Sequence, residues 1–479
     1  MSVIARLGPF KTIENLVLIG AALIALGLGA LMLRQQDRIG CWEACQIATN
    51  VSTGHGFSFL AGQREAFDSQ HVYVSKGEDA LRYYPSAWVD PVYTYALAAV
   101  ISSSGRFYKY VGAWLNPLLF VAVVVLTFRL ATRIEGVCAG ILSATLMTWV
   151  MCSHRWDWVI QLNNTVLSIV FVLLFAIALH RAVTAPSVKS AAVLGLATGI
   201  TILACPVAIG FLPVALLGIL LANWRRWRAA AISVSVTLCL AIAVLTPWAV
   251  RNYLTFDAFI PVRTGSGSNM FIGVLAVGAT VEPGTLKSGA TPPWNARDAH
   301  EAIATALQTE ERRLLEEFMV SYALMLTGGE FGNMNEAQRD KWFQQETKGY
   351  IVENPKLALD LAGWKMWVFV TIMGSLGSLL LALALLGGLV AVRRRRLDLL
   401  TFVMCIIMFA GPYVLIITYF TRYRLPIEPI VVIAAVIAIW EFGRSLGFGS
   451  RVRGVSARGR DQPITIASQS VHAGADGLR

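Results

Sequence analysis

Apolar runs close to membrane-spanning length recur along the chain, near 16–34, 111–132, 137–152, 159–181, 190–204, 206–222, 229–249, 363–391, 398–418 and 427–446. A helix needs roughly 20 mostly apolar residues to cross the hydrocarbon layer, so this recurrence predicts an all-α polytopic membrane protein with about ten transmembrane helices. Composition excludes the soluble alternative. Of 479 residues 56% are hydrophobic and 14% charged, whereas a soluble domain carries about a quarter charged residues. The first run, Leu16 to Leu33, follows a head bearing Arg6 and Lys11 and ends on Arg34, Gln35, Gln36 and Asp37. A signal peptide would have a shorter apolar core and a small-residue cleavage site, so a retained first helix is expected.

The formal net charge is +11, and its placement argues against nucleic acid as a partner. Arg225, Arg226 and Arg228 share one tight interhelical loop, Arg393 to Arg396 another, and Arg444, Arg451, Arg453, Arg458 and Arg460 the tail. Such a pattern reports orientation: arginine-rich short loops stay cytoplasmic. With a cytoplasmic N-terminus, the predicted crossings put all these segments, and both termini, on the cytoplasmic side of the cell (inner) membrane. The membrane domain is then 1–446, followed by a basic cytoplasmic tail, 447–479, whose Gly, Ser and Arg content predicts disorder. Two large polar loops, 35–110 and 250–362, fall on the extracytoplasmic face. Loops of that length usually carry function.

The first loop has its own order. Trp42 to Thr53 reads as a helix stopped by Gly54-His55-Gly56. Glu43, Gln46 and Asn50 share one face of it, and Ile47, Ala48 and Val51 give apolar cover, which fits an interfacial amphipathic element. Pro91 to Ser102 is too brief to span and belongs to the same interface, with Trp88, Tyr93 and Tyr95 as its aromatic belt. Of seven cysteines, only Cys41 and Cys45 lie outside apolar stretches. Their spacing suits a disulfide poorly, and they lack a second ligand pair, so they are assigned no chemistry. His55 and His71 have no partners at ligand spacing. No cofactor is predicted, and a divalent metal has no support.

Candidate chemistry sits where helices emerge on the extracytoplasmic side. Glu43 follows the first helix. Pro247-Trp248-Ala249-Val250-Arg251-Asn252-Tyr253 ends the seventh, and Arg422-Tyr423-Arg424-Leu425-Pro426-Ile427-Glu428-Pro429 precedes the tenth. Arginines at headgroup depth suit a lipid-linked phosphate, and a carboxylate nearby suits proton abstraction from an incoming hydroxyl. Each also has a plain alternative. The arginines are common as snorkelling anchors, Glu43 as a solvated carboxylate, and Asp157 with Asn163-Asn164 as caps or packing groups.

The string Glu43-x3-Ile47-Ala48-x-Asn50-x3-Gly54-His55-Gly56-Phe57-Ser58, with Ser86-Ala87-Trp88-Val89-Asp90-Pro91-Val92-Tyr93, resembles the first extracytoplasmic loop of bacterial GT-C class membrane glycosyltransferases. That superfamily includes the protein O-mannosyltransferases and lipid A aminoarabinose transferases. The Pro-Trp-x-x-Arg-Asn-Tyr exit with Phe256 and Ile260-Pro261-Val262-Arg263 is similar, as are Gly329-Glu330, Glu353-Asn354-Pro355 and the 422–429 string. The resemblance runs from about residue 16 to 440. It implies a GT-C-like fold and inverting transfer of a sugar from a polyprenyl-phosphate carrier to a glycan, glycolipid or protein acceptor. Glu43 holds the position of the family's catalytic acid, where relatives often carry Asp or an upstream Asp-Glu pair. This leaves Asp37 as a further candidate, and Asp90, where relatives tend to be apolar, as a second acid. Arg251, Arg422 and Arg424 are expected to hold the carrier phosphate, and Asn50, His55, Trp88, Tyr93, Tyr253 and Glu330 to contact substrate. Val274 replaces the Asn that commonly follows Gly273, and 59–83 is longer than usual. A lipid transporter or flippase would instead show ionisable groups at mid-membrane or inverted repeats, and neither is visible. A non-catalytic scaffold of envelope assembly is the other alternative.

Overall fold

The computed structural model describes residues 9–34, 43–60, 83–105, 108–153, 162–275, 281–282, 285–286, 327, 330–414 and 421–445. Asp37, Cys41, His71, Asp157, Gly329 and the tail from Gly447 lie outside the described residues.

Helix α1 (Pro9–Arg34) is followed in the first loop by α2 (Glu43–Ser52), strands β1 (Ser58–Leu60) and β2 (Tyr83–Pro85), and α3 (Pro91–Ser104). Next come α4 (Tyr108–Glu135), α5 (Val137–Ser153), α6 (Thr165–Thr184), α7 (Val188–Ala204), α8 (Phe211–Ala222) and α9 (Trp227–Phe256). The second loop holds the short α10 (Ser266–Met270) and the polar α11 (Glu336–Glu353). The chain returns through α12 (Pro355–Thr371), α13 (Gly374–Arg394), α14 (Leu397–Ala410), α15 (Thr421–Arg424) and α16 (Glu428–Ser445). Among the described residues six helices are long and apolar enough to cross a membrane: α1, α4, α6, α9, α13 and α16. Val137–Cys152, Val188–Ala204, Pro206–Ala222 and Leu397–Tyr413 are shorter apolar helices. The chain is thus a multi-pass, all-α membrane protein.

In a bilayer, helices associate through close packing rather than exclusion from water, and small residues set how near they come. Gly195 and Gly199, four apart on α7, allow this against α9. A Cβ on Gly195 would lie 2.5 Å from the Thr237 carbonyl, and one on Gly199 2.7 Å from Val244. Thr237 then donates its hydroxyl to the Ala191 carbonyl across the same contact at 3.0 Å. Helix α16 occupies the centre: 83% of its spanning window is buried, against 17% for α1. It packs on α13, α5, α14 and α4.

Two expectations need correction. The run 363–391 is not one helix. α12 and α13 are separated around Gly374, whose φ of +73° a continuous helix cannot contain, and hydropathy, uniform across the joint, carries no sign of it. The surface helix of the first loop, described from Glu43, does more than lie on lipid. Cys45 and Ala48 pack with Tyr93 and Leu97 of α3, while Ile47 packs with Phe57, Phe59 and Trp248. Its end is as expected: Gly54 (φ +85°) donates its N–H to the Val51 carbonyl, and the His55 N–H reaches the Asn50 carbonyl. Strands β1 and β2 pair antiparallel with Ser58 opposite Pro85.

The bundle has two unlike ends. Arg396 pairs with Asp398 (2.8 Å), Glu441 (3.0 Å) and Glu135, and Arg444 pairs with Glu441 (2.8 Å) and Glu135. These links tie the ends of α4 and α16 to the start of α14. His180, near the end of α6, lies 3.8 Å from Asp398. The starts of α6 and α16 lie at the opposite end, around the cavity described next.

Candidate active site

The C-terminal turn of α9 gathers the two loops. Trp248 donates its indole N–H to the Val262 carbonyl, and Asn252 donates to the Ile260 carbonyl at 3.0 Å. These bonds fold the chain back after α9 and bring Arg263, Thr264 and Gly265 towards the first loop. Arg251 reaches into that loop, donating to the carbonyls of Ser86 (2.6 Å) and Phe57 (2.9 Å). Its guanidinium lies 5.0 Å from the Trp248 ring and 5.5 Å from that of Phe57, within cation–π range.

Glu336 on α11 completes the joint. Its buried carboxylate accepts from the Ser86 hydroxyl and the Ala87 N–H, both at 2.8 Å, and from the Thr264 hydroxyl. Burial pushes its carboxyl above the ordinary glutamate range, and the three donors oppose that shift. One turn further, Asp340 accepts from the N–H groups of Gly267 (2.7 Å) and Gly265 (3.0 Å). Burial raises this carboxyl too, against the same backbone donors. Gly265 has φ +88°, and a Cβ there would come within 2.8 Å of the Trp88 ring. The segment therefore needs glycine both for its backbone and for its contact.

These joints frame a cavity of about 150 Å³. Glu43 and Ala44 at the start of α2, Trp88 to Asp90 before α3, Asn163 and Asn164 before α6, and Arg263 to Gly265 form much of its wall. Tyr413, Tyr423 and Pro426 close it near the start of α16, with the Tyr413 hydroxyl donating to the Tyr423 carbonyl. Asp90 is 3% exposed, accepts from the Asn164 side chain, and lies 3.7 Å from the Arg263 guanidinium. The two asparagines divide their work. Asn163 accepts the Thr165 N–H at 2.9 Å in the turn leading into α6, whereas the side chain of Asn164, the residue before the helix, turns to Asp90. The cavity thus combines two carboxylates, one arginine and an amide at one end of an apolar bundle. Such a set can receive an anionic group and take a proton from a hydroxyl.

Of the residues nominated from sequence, Glu43, Asp90 and Trp88 line this cavity. Arg251 and Arg424 do not, and their donors are directed at the protein itself. Arg424 is 1% exposed. It pairs with Glu428 at 2.5 Å and donates to the carbonyls of Phe369 and Val370 (2.7 Å each) and Gly377 (2.8 Å). It thereby satisfies the open carbonyls at the end of α12 and holds the break before α13. The Arg422 side chain lies outside the described residues. Asn50 is buried and donates to the Ser58 carbonyl at 2.7 Å. His55 stacks on Tyr83 with ring centroids 3.7 Å apart. Tyr93 is buried among Cys45, Leu97 and Leu162, Tyr253 is exposed on α9, and Glu330 is exposed at the start of a turn, Glu330–Asn333. Cys45, assigned no chemistry from its spacing, is disulfide-bonded.

Arg263, Glu336 and Asp340 were given no role by sequence, and Asn164 only that of a cap or packing group. Arg263 stood within the quoted Ile260-Pro261-Val262-Arg263 string, the one signal that marked it. Among the described residues no group of three His, Cys, Asp or Glu side chains gathers to hold a metal ion.

No family model and no curated protein matches the sequence. Solved structures do. The Archaeoglobus fulgidus oligosaccharyltransferase in complex with zinc and sulfate aligns over 92% of this chain and 51% of its own, at 12% identity and a TM-score of 0.50. The same organism's oligosaccharyltransferase AglB, in complex with an inhibitory peptide and a dolichol-phosphate, aligns over 95% and 52%, at 12% identity and a TM-score of 0.51. The chain spans about half the length of these proteins. ArnT from Cupriavidus metallidurans bound to undecaprenyl phosphate covers 89% of this chain and 78% of its own, at 14% identity, but its TM-score of 0.33 is too low to bear weight. The likeness to the archaeal oligosaccharyltransferase is one of fold: nearly the whole of this chain follows the same path through its helices and the loops they carry.

Proposed function

We propose that the chain transfers a sugar from a polyprenyl-phosphate carrier to an acceptor hydroxyl on the extracytoplasmic face of the cell membrane, with inversion. The observation that carries this reading is the meeting of Glu43, Asp90, Asn164 and Arg263 around one cavity at one end of the apolar bundle. Glu43, half-buried on the cavity wall, is the general base for the acceptor. Arg263 takes the carrier phosphate as negative charge develops on it, and Asp90 with Asn164 hold that arginine in place. Arg251 and Arg424 act at one remove, by shaping the loops and the α12–α13 break. The acceptor is a cell-envelope glycan, glycolipid or protein.

The ten-crossing topology, with 35–110 and 250–362 outside and both termini cytoplasmic, belongs to the same proposal. The six long and four shorter apolar helices support it. The test is transfer from a polyprenyl-phosphate sugar by purified protein. Glu43→Gln should melt like the wild type and lose turnover by at least about a hundredfold. Near-normal turnover in that variant would remove Glu43 as the base.

A further inference from the structure

The face opposite the cavity carries a second feature. The loop between α8 and α9 reads Asn223-Trp224-Arg225-Arg226-Trp227-Arg228, and from Trp224 to Arg228 every residue is exposed. Trp224 and Trp227 are each 70% exposed, so both indole rings face away from the bundle. The arginines are arrayed on these rings. The Arg225 guanidinium lies 5.2 Å from the Trp224 ring centroid, and that of Arg228 lies 5.4 Å from Trp227.

The surrounding charge is one-sided. The described acids at this end are already paired: Glu135, Asp398 and Glu441 with Arg396 and Arg444, and Glu14 with Arg129. None is left to neutralise the exposed arginines of the 223–228 loop, and none of those arginines forms an ion pair among the described residues. The exposed run Arg393 to Arg395 at the end of α13 adds to the same field.

We infer that the Trp224–Arg228 loop is a binding site for anionic phospholipid headgroups of the adjacent leaflet. Indole rings settle at headgroup depth, and guanidinium groups grip phosphate oxygens in a fork. Rings that bury in the interface while their stacked arginines meet lipid phosphates satisfy both halves of the motif. A merely orienting loop needs the charge but not the paired rings. The site is independent of the reaction at the cavity.

The full-length protein is placed in nanodiscs of zwitterionic lipid containing either brominated phosphatidylglycerol or brominated phosphatidylcholine at equal mole fraction. Quenching assigned to the loop is the difference between wild type and the Trp224→Phe/Trp227→Phe variant. The loop component should report enrichment of the anionic lipid by at least about fivefold, since each basic residue near such a surface contributes about 1 kcal/mol. The preference should vanish in Arg225→Gln/Arg226→Gln/Arg228→Gln. In wild type alone it should collapse in roughly 1 M salt, where the screening length is about 3 Å, so the test survives a variant that folds poorly. Equal quenching by the two lipids, or a preference unmoved by salt, overturns the proposal.

Discussion

The two ends of the bundle handle polar groups in opposite ways. At one end the carboxylates of Glu135, Asp398 and Glu441 are matched to Arg396 and Arg444, so helix is tied to helix. At the other, apart from the Arg424–Glu428 pair, the described carboxylates tie loops rather than helices. Glu336 binds the first loop to the second, Asp340 binds the second to itself, and Asp90 engages Arg263 and Asn164 beside open space. α6 and α16 run from one arrangement to the other. The contrast teaches that the closed end fixes the frame, while the loop end carries the groups able to exchange a partner for a ligand.

Five measurements would sharpen or break that division. The largest effect is expected from Glu43→Gln, a loss of transfer of about 10²–10⁴-fold with an unchanged melting temperature. Its counterpart Arg396→Gln at the closed end should lower the melt and leave turnover per folded molecule intact; a selective loss of turnover would break the division. Next comes Arg424→Ala. It strands the Glu428 carboxylate, 0% exposed, and should cost about 3–5 kcal/mol, read as a melting shift or failure to fold. Smaller is Arg263→Ala, expected to raise the KM for the lipid-phosphate donor about tenfold, equivalent to about 1.4 kcal/mol. Loss confined to kcat would place Arg263 on the transition state alone. The smallest is a pH effect at Glu336. Its carboxyl is raised in the folded protein, so the stability it contributes is full below the ordinary glutamate value and is lost as pH rises through the raised value. The melting advantage of wild type over Glu336→Gln should therefore shrink as pH climbs across that window. A growing advantage would show that the three donors outweigh burial.

The helices were legible because each spanning run is long and almost free of charge, and glycine marked the end of α2 correctly. The break at Gly374 was not, because its cause is Arg424, some fifty residues away, capping the α12 carbonyls. The motif strings nominated residues whose side chains the fold sends in different directions. Arg251 and Arg424 stood out as emerging cations, yet a string cannot say where a guanidinium points, and these point at backbone. Glu336 and Asp340 sit on a polar helix that reads as solvated, and their burial is made by residues such as Ser86, 250 positions earlier. Asp90 and Glu43, which line the cavity, could be nominated because their surroundings in the chain, Trp-Val-Asp-Pro and the helix start, are themselves local.

The position of α16 bears on how the molecule is made. It is the most deeply enclosed of the long spans, yet it follows every other described helix in the chain. During insertion, then, the earlier spans must wait in the bilayer around a slot whose occupant has not been synthesised. Arg424, just ahead of it, and Glu428, its first residue, reach the membrane at the same moment. The joint between α12 and α13 can therefore set only when the centre is filled, which makes arrival of this one segment the checkpoint of assembly.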